Sequence, residues 1–156
     1  MDELFDQLAH AESPAAGEQI AEQIRNEWSR SGSASIDLLM ERGMDAIEKE
    51  DYAAAVGHLT AVIDYDPDLA QAYHLRATAL YMLGDAGPAI ADLGQALRLE
   101  PRHFGAMQGL AVLLEEMGKP EEALQIFRAV LAINPTDPDI GGAVERLERS
   151  LEGQAL

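Results

Sequence analysis

The chain has 156 residues, which fits one domain, and its 28 acidic and 11 basic side chains give a formal net charge of −17. This charge argues against nucleic acid as a partner, because phosphates need a basic surface, and equally against anionic membranes. Cysteine is absent, which excludes disulfides and zinc–sulfur sites, and no apolar run reaches the ~18 residues of a membrane span.

Residues 1–35 have the pattern of two short amphipathic helices separated by Ser13-Pro14, an N-cap followed by a first-turn proline. Their apolar residues recur at helical spacing, at Leu4, Phe5, Leu8, Ile20, Ile24 and Trp28. We interpret this segment as a degenerate helical hairpin that caps the open end of the repeats that follow. The alternative is a separate arm that reaches a partner.

One pattern is then written three times at intervals of 34 residues. The recurring positions are Ala55, Ala89 and Ala123; Leu59, Leu93 and Phe127; and Pro67, Pro101 and Pro135. A fixed period of this length indicates a solenoid of stacked helix pairs. The predicted units, which together span 36–137, are 36–69, 70–103 and 104–137, and a polar capping helix follows at 138–156 with Val144 and Leu147 facing inward.

The small residues and the turns have mechanical roles in this pattern. The recurrent alanines allow the two helices of a unit to approach closely, so a larger side chain is expected to push them apart. Gly84 and Gly118 make the turn inside the second and third units, where the first unit uses Lys49-Glu50-Asp51. The recurrent prolines stop each second helix.

These three units resemble tetratricopeptide repeats (TPRs), which share the order of bulky, small, alanine, bulky and proline positions. Leu39, Tyr73 and Met107 depart from the family, which often has tryptophan there. The resemblance implies an all-α, right-handed superhelical solenoid of antiparallel helix pairs with about nine helices. The whole chain also resembles short bacterial TPR proteins of undefined role. Many of these are exported, which favours a periplasmic protein whose signal peptide has been removed over a cytoplasmic one.

In this family the first helix of each unit lines a concave groove that binds partner proteins. The resemblance assigns the following residues to the groove: Asp37, Met40, Met44, Ile47, Gln71, His74, Thr78, Tyr81, Gln108, Val112 and Glu115. Members that hold a C-terminal carboxylate use lysines and asparagines on this face, and none is present here. Methionine and tyrosine suit an apolar segment instead. Met40 and Met44 have an alternative role, which is packing against the N-terminal hairpin.

No catalytic or cofactor motif accompanies the repeats. The four histidines, His10, His58, His74 and His103, lack metal-binding spacing, and no phosphate loop follows Gly84. The alternating Asp64, Asp66 and Asp68 are interrupted by Pro67 and lack the glycine and glutamate of a calcium loop. We therefore expect no enzyme activity, no metal and no cofactor.

The sequence predicts a non-catalytic interaction module, an adaptor or scaffold that binds an apolar segment of a partner protein in its groove. One alternative is a chaperone of a secreted or translocator protein, since such chaperones also carry three repeats in an acidic chain. A remote alternative is an enzyme or metal protein with an unrecognised site. Self-association and the identity of the partner are left open.

Overall fold

The computed structural model of the protein describes residues 1–155, which form nine α-helices and no β-strand. The helices are α1 (Asp2–Ala9), α2 (Pro14–Trp28), α3 (Ala34–Glu48), α4 (Tyr52–Tyr65), α5 (Ala70–Met82), α6 (Ala86–Leu99), α7 (Phe104–Glu116), α8 (Pro120–Ile133) and α9 (Pro138–Ala155). The predicted all-α class and helix number are confirmed. Within this part of the chain, every helix lacks either the length or the hydropathy needed to cross a membrane.

The turns inside the helix pairs show why the 34-residue period carries glycine. Gly84 and Gly118 have positive φ angles of 85° and 78°, and Glu50 occupies the equivalent place in the first pair with φ 60°. A residue with a Cβ atom pays roughly 1–2 kcal/mol in this left-handed region. The first turn is therefore strained where its two counterparts are relaxed.

The contacts divide the chain into two compact units. Unit 1 consists of Met1–Ile24 and the segment from Met107 onward, and unit 2 is the continuous stretch Arg25–Ala106. Each unit has its own buried residues.

In unit 2, the consecutive helices α3, α4, α5 and α6 pack against one another, and α3 also contacts α5. Gly43 on α3 lies directly under Leu59 on α4, so a Cβ at this glycine would come within 2.8 Å of the Leu59 Cγ. Leu59 and Ala55 are fully buried beside it. The small residue at position 43 thus sets the spacing of this helix pair.

In unit 1, α1 packs on α8 and α8 packs on α9. Phe5 and Leu8 are the buried residues of α1. The backbone of α2 passes close to the α8–α9 turn, where a Cβ at Gly17 would meet the side chains of Thr136 and Asn134. Val144 and Leu147 of α9 are buried, as predicted.

We expect Ala89→Leu to lower the free energy of unfolding by about 1–3 kcal/mol, because Ala89 on α6 is fully buried and the added atoms overpack the core. Ala91→Leu is the matched control, since Ala91 lies on the same helix and is exposed. Urea denaturation followed by circular dichroism measures both. Equal midpoints for the two variants would contradict the close-packing role of position 89.

Candidate functional site

The predicted groove residues of α3 differ in how far they are buried. Met40 is only 1% exposed and belongs to the hydrophobic core of unit 2. Met44 and Ile47 are partly buried and pack against the same core. Met40 is therefore part of the core, whereas Met44 and Ile47 retain some surface.

The predicted residues of α5 lie on a helix that contacts α3. Gln71 is 4% exposed. His74 and Thr78 are linked by a hydrogen bond of 3.2 Å, in which the Thr78 hydroxyl donates to the His74 carbonyl oxygen. Tyr81, one turn further along, is partly exposed. The C-terminal half of α5 thus presents a tyrosine at the surface, while its N-terminal half is held in polar contacts.

An aromatic cluster forms around His103, the residue just before α7. The Trp28 ring stacks on the His103 ring with centroids 4.2 Å apart and an interplanar angle of 15°. Phe104 lies 5.0 Å from Trp28, and His74 lies 4.9 Å from His103. The Arg25 guanidinium sits over Phe104 at 6.0 Å from the ring centroid. All five residues belong to unit 2.

His103 is fixed by two hydrogen bonds that also determine its tautomer. Its Nδ1 accepts a hydrogen bond of 3.0 Å from the backbone N–H of Ala106, which makes His103 the N-cap of α7. The hydrogen must therefore lie on Nε2, which donates to the Gln71 side-chain oxygen at 2.7 Å. A second ring proton would displace the Ala106 N–H, so the cap requires the neutral imidazole.

Burial holds both histidines of the cluster in the neutral form. It lowers the pKa of His103 to about 3, with a further contribution from His74, and that of His74 to about 4, with a further contribution from Arg25. The His74 Nδ1 is buried and makes no hydrogen bond within the described residues. Gly105 leaves room for the His74 ring, because a Cβ at this glycine would come within 2.8 Å of the His74 Cε1.

The two predicted groove acids are held by polar partners. The Asp37 carboxylate accepts hydrogen bonds from the Ser31 backbone N–H at 2.8 Å and from its hydroxyl at 2.7 Å, and these bonds lower the pKa of Asp37. In unit 1, Arg146 donates two hydrogen bonds to Glu115, one of them 2.9 Å long, which lowers the pKa of Glu115. Both carboxylates therefore form hydrogen bonds within the chain, Asp37 with the segment before α3 and Glu115 with α9.

The remaining predicted residues lie on α7. Gln108 is partly buried and Val112 is 36% exposed. Together with Glu115 they belong to unit 1.

A partly buried ion pair joins α5 and α6 of unit 2, and a hydrogen bond links it to α4. The Arg76 guanidinium donates to both oxygens of Asp92 at 2.7 and 2.8 Å, and to the Thr60 hydroxyl at 3.3 Å. The Asp92 side chain is only 9% exposed. Such a bidentate pair fixes α5 against α6 with defined geometry.

The sequence pattern missed the aromatic cluster around His103, since Trp28, His103 and Phe104 do not recur at the 34-residue period. The available signal was local: an imidazole three residues before an unpaired helix N–H is placed to cap that helix. Across the residues that the structure describes, no group of three or more side chains is arranged to hold a metal ion.

Two tetratricopeptide repeat family models match residues 40–93 and 83–147. A TPR repeat-containing protein of Rhizobium etli is 37% identical over 98% of this chain and 75% of its own length. The chain is a member of the tetratricopeptide repeat family. The predicted resemblance is thereby confirmed.

Other similar proteins share the repeats but differ in length or sequence. Human DnaJ homolog subfamily C member 3 is 31% identical over 80% of this chain, which spans only 25% of that protein. The first TPR of Spaghetti (RPAP3), solved bound to an HSP90 peptide, superposes with a TM-score of 0.70 at 22% identity, covering 75% of this chain and 93% of that one. The TPR fold is a non-catalytic protein-interaction fold, which agrees with the interaction module predicted from the sequence.

Proposed function

We propose that this TPR protein is an adaptor that binds an apolar segment of a partner protein along the first helices of its repeats. The observation that carries the proposal is the direct packing of α3 on α5 in unit 2. It makes Met44 and Ile47 neighbours of the helix that carries Thr78 and Tyr81. These side chains keep part of their surface exposed. Methionine adapts its shape to a bound apolar segment, and tyrosine is a rigid anchor for one.

The charge of the chain favours a partner different from that of the similar structure. The HSP90 peptide bound to the first TPR of Spaghetti ends in Glu-Glu-Val-Asp and is acidic. This chain has a net charge of −17 and only two lysines, Lys49 and Lys119, neither of which lies on a first helix. An acidic C-terminal peptide would therefore be repelled, whereas an apolar segment with a basic residue near one end would be attracted.

We expect Tyr81→Ala to reduce partner retention at least about tenfold, because a tyrosine anchor often carries 2 kcal/mol or more on truncation. Tyr65→Ala is the matched control, since Tyr65 is a 74% exposed tyrosine on α4, a second helix. The measurement is capture of partners from host lysate by the full chain, with circular dichroism to confirm that each variant is folded. Retention should also weaken with rising salt.

Two outcomes would reject the adaptor proposal. The first is a specific partner that a folded Met44→Ala, Tyr81→Ala double variant retains as well as the wild type does. The second is a partner lost equally with Tyr65→Ala, which would place binding on the second helices.

A further inference from the structure

The aromatic platform is the surface of unit 2 made by His74, His103, Phe104 and Gly105. Trp28 lies on it, stacked on His103 at 4.2 Å and tilted against Phe104 at 5.0 Å. Trp28 is the single tryptophan of the chain. The platform therefore holds an indole ring in a geometry that aromatic pairs prefer.

The platform is preorganised by contacts that do not involve Trp28. His103 is fixed in position and tautomer by Gln71 and by the Ala106 N–H. His74 lies against His103 because Gly105 leaves room for its ring. A surface whose side chains are already ordered loses little entropy when an aromatic side chain binds it.

The two side chains that lie on the platform, Arg25 and Trp28, are both carried by α2. Arg25 and Trp28 are three residues apart on α2, so they share one face, and that face presents a guanidinium to Phe104 and an indole to His103. Trp28 is only partly buried. The link after α2 contains Gly32 at φ 87° and is fastened by the Asp37 hydrogen bonds to Ser31.

We propose that the aromatic platform is a binding site for a helical segment of a partner protein, one that carries an aromatic residue with a basic residue one turn before it. Trp28 and Arg25 of α2 are its internal occupants, and the partner replaces them. Cation–π contact with Phe104 and the negative charge of the chain both favour the basic residue. The inference rests on the adaptor proposal, since it names the chemistry of the bound segment.

The test uses a synthetic peptide of residues 14–29, which reproduces α2. In wild type the internal copy competes, so the apparent affinity for the peptide is reduced by the fraction of free platform. The full-chain Trp28→Ala variant is expected to bind the fluorescein-labelled peptide at least about tenfold more tightly than wild type does. Asn26→Ala is the matched control on the same turn of α2, since Asn26 is exposed, and should bind as wild type does.

A second peptide, with phenylalanine in place of its tryptophan, leaves Trp28 of the wild-type protein as the single indole in solution. Saturating binding should shift Trp28 fluorescence to longer wavelength as the ring leaves the platform. Adding Phe104→Ala to the Trp28→Ala variant should abolish peptide binding while circular dichroism shows retained helicity. Trp28→Leu replaces Trp28→Ala if the alanine variant loses helicity.

The results separate this inference from the adaptor proposal. If the Trp28→Ala and wild-type chains bind the labelled peptide equally, or if Phe104→Ala leaves binding intact, the platform is not a binding site, whatever partner the host lysate yields. If the peptide binds as expected while Tyr81→Ala leaves partner retention unchanged, the platform stands and the Tyr81 surface is rejected.

Discussion

Asp92→Ala is expected to lower the free energy of unfolding by about 3 kcal/mol, among the largest effects of any single substitution in unit 2. The substitution leaves the Arg76 guanidinium, which is 21% exposed, without the carboxylate that accepts its two short hydrogen bonds. Breaking a buried pair from one side costs about 3–5 kcal/mol, and the residual exposure of Arg76 places the effect at the lower end. Urea denaturation measures this loss as a lower midpoint, and an unchanged m-value shows that the stability itself has changed.

Two further variants show whether the ion pair itself is responsible. Asp64→Ala removes an exposed acid that also interacts with Arg76, and it should change stability by less than about 0.5 kcal/mol. The double variant Arg76→Met, Asp92→Leu removes both charges and should recover much of the lost stability. A single Asp92→Ala variant as stable as wild type would show that the pair is not closed in solution.

The stability of the protein is expected to fall by about 2–4 kcal/mol between pH 6.5 and pH 5. The folded pKa values of His74 and His103, about 4 and about 3, lie below the value of 6.5 that each has when unfolded. Below pH 6.5 these two histidines are therefore protonated in the unfolded chain but remain neutral in the folded chain. Each of them lowers the free energy of unfolding by at most about 1.4 kcal/mol per pH unit. The stability that the neutral His74 and His103 contribute is fully present above pH 6.5 and is lost as the pH falls towards 4.

Chemical denaturation at constant ionic strength and stepped pH measures this slope. In the His74→Phe variant the free energy of unfolding should change with pH about half as steeply as in wild type, because only one of the two buried histidines remains. Asp37 and Glu115 do not obscure the comparison, since their lowered pKa values act below the ordinary values of 3.8 and 4.5. A wild-type stability that stays constant from pH 7 to pH 5 would mean that these histidines are hydrated.

The periodic features of the fold were readable from the sequence because each repeat places the same side chain in the same surroundings. Ala55, Ala89 and Ala123 are all fully buried, and the left-handed turn residue recurs at Gly84 and Gly118. Glu50 adopts that conformation without being glycine, since the turn geometry is imposed by the helix pair on either side of it.

The surroundings of the groove residues were not readable in the same way. Gln71 and His74 were assigned by position on α5, but their contacts depend on His103, which lies 32 residues from Gln71 in the chain. The role of His103 follows from a capping geometry that the period does not encode. Asp37 and Glu115 were likewise placed correctly on α3 and α7, while their hydrogen-bond partners came from outside the repeat pattern.

The packing of α1 on α8 has a consequence for the order in which the chain acquires its contacts. Residues 25–106 lie between the two segments of unit 1, so this contact closes a long loop, and closing it costs entropy that grows slowly with loop length. In an array of repeats with only neighbouring contacts, each helix can dock as soon as the next one is synthesised. Here α1 leaves the ribosome well before α8 does, and the two helices pack on each other. During synthesis this contact therefore forms only after the helices between α1 and α8, and α8 itself, have been made.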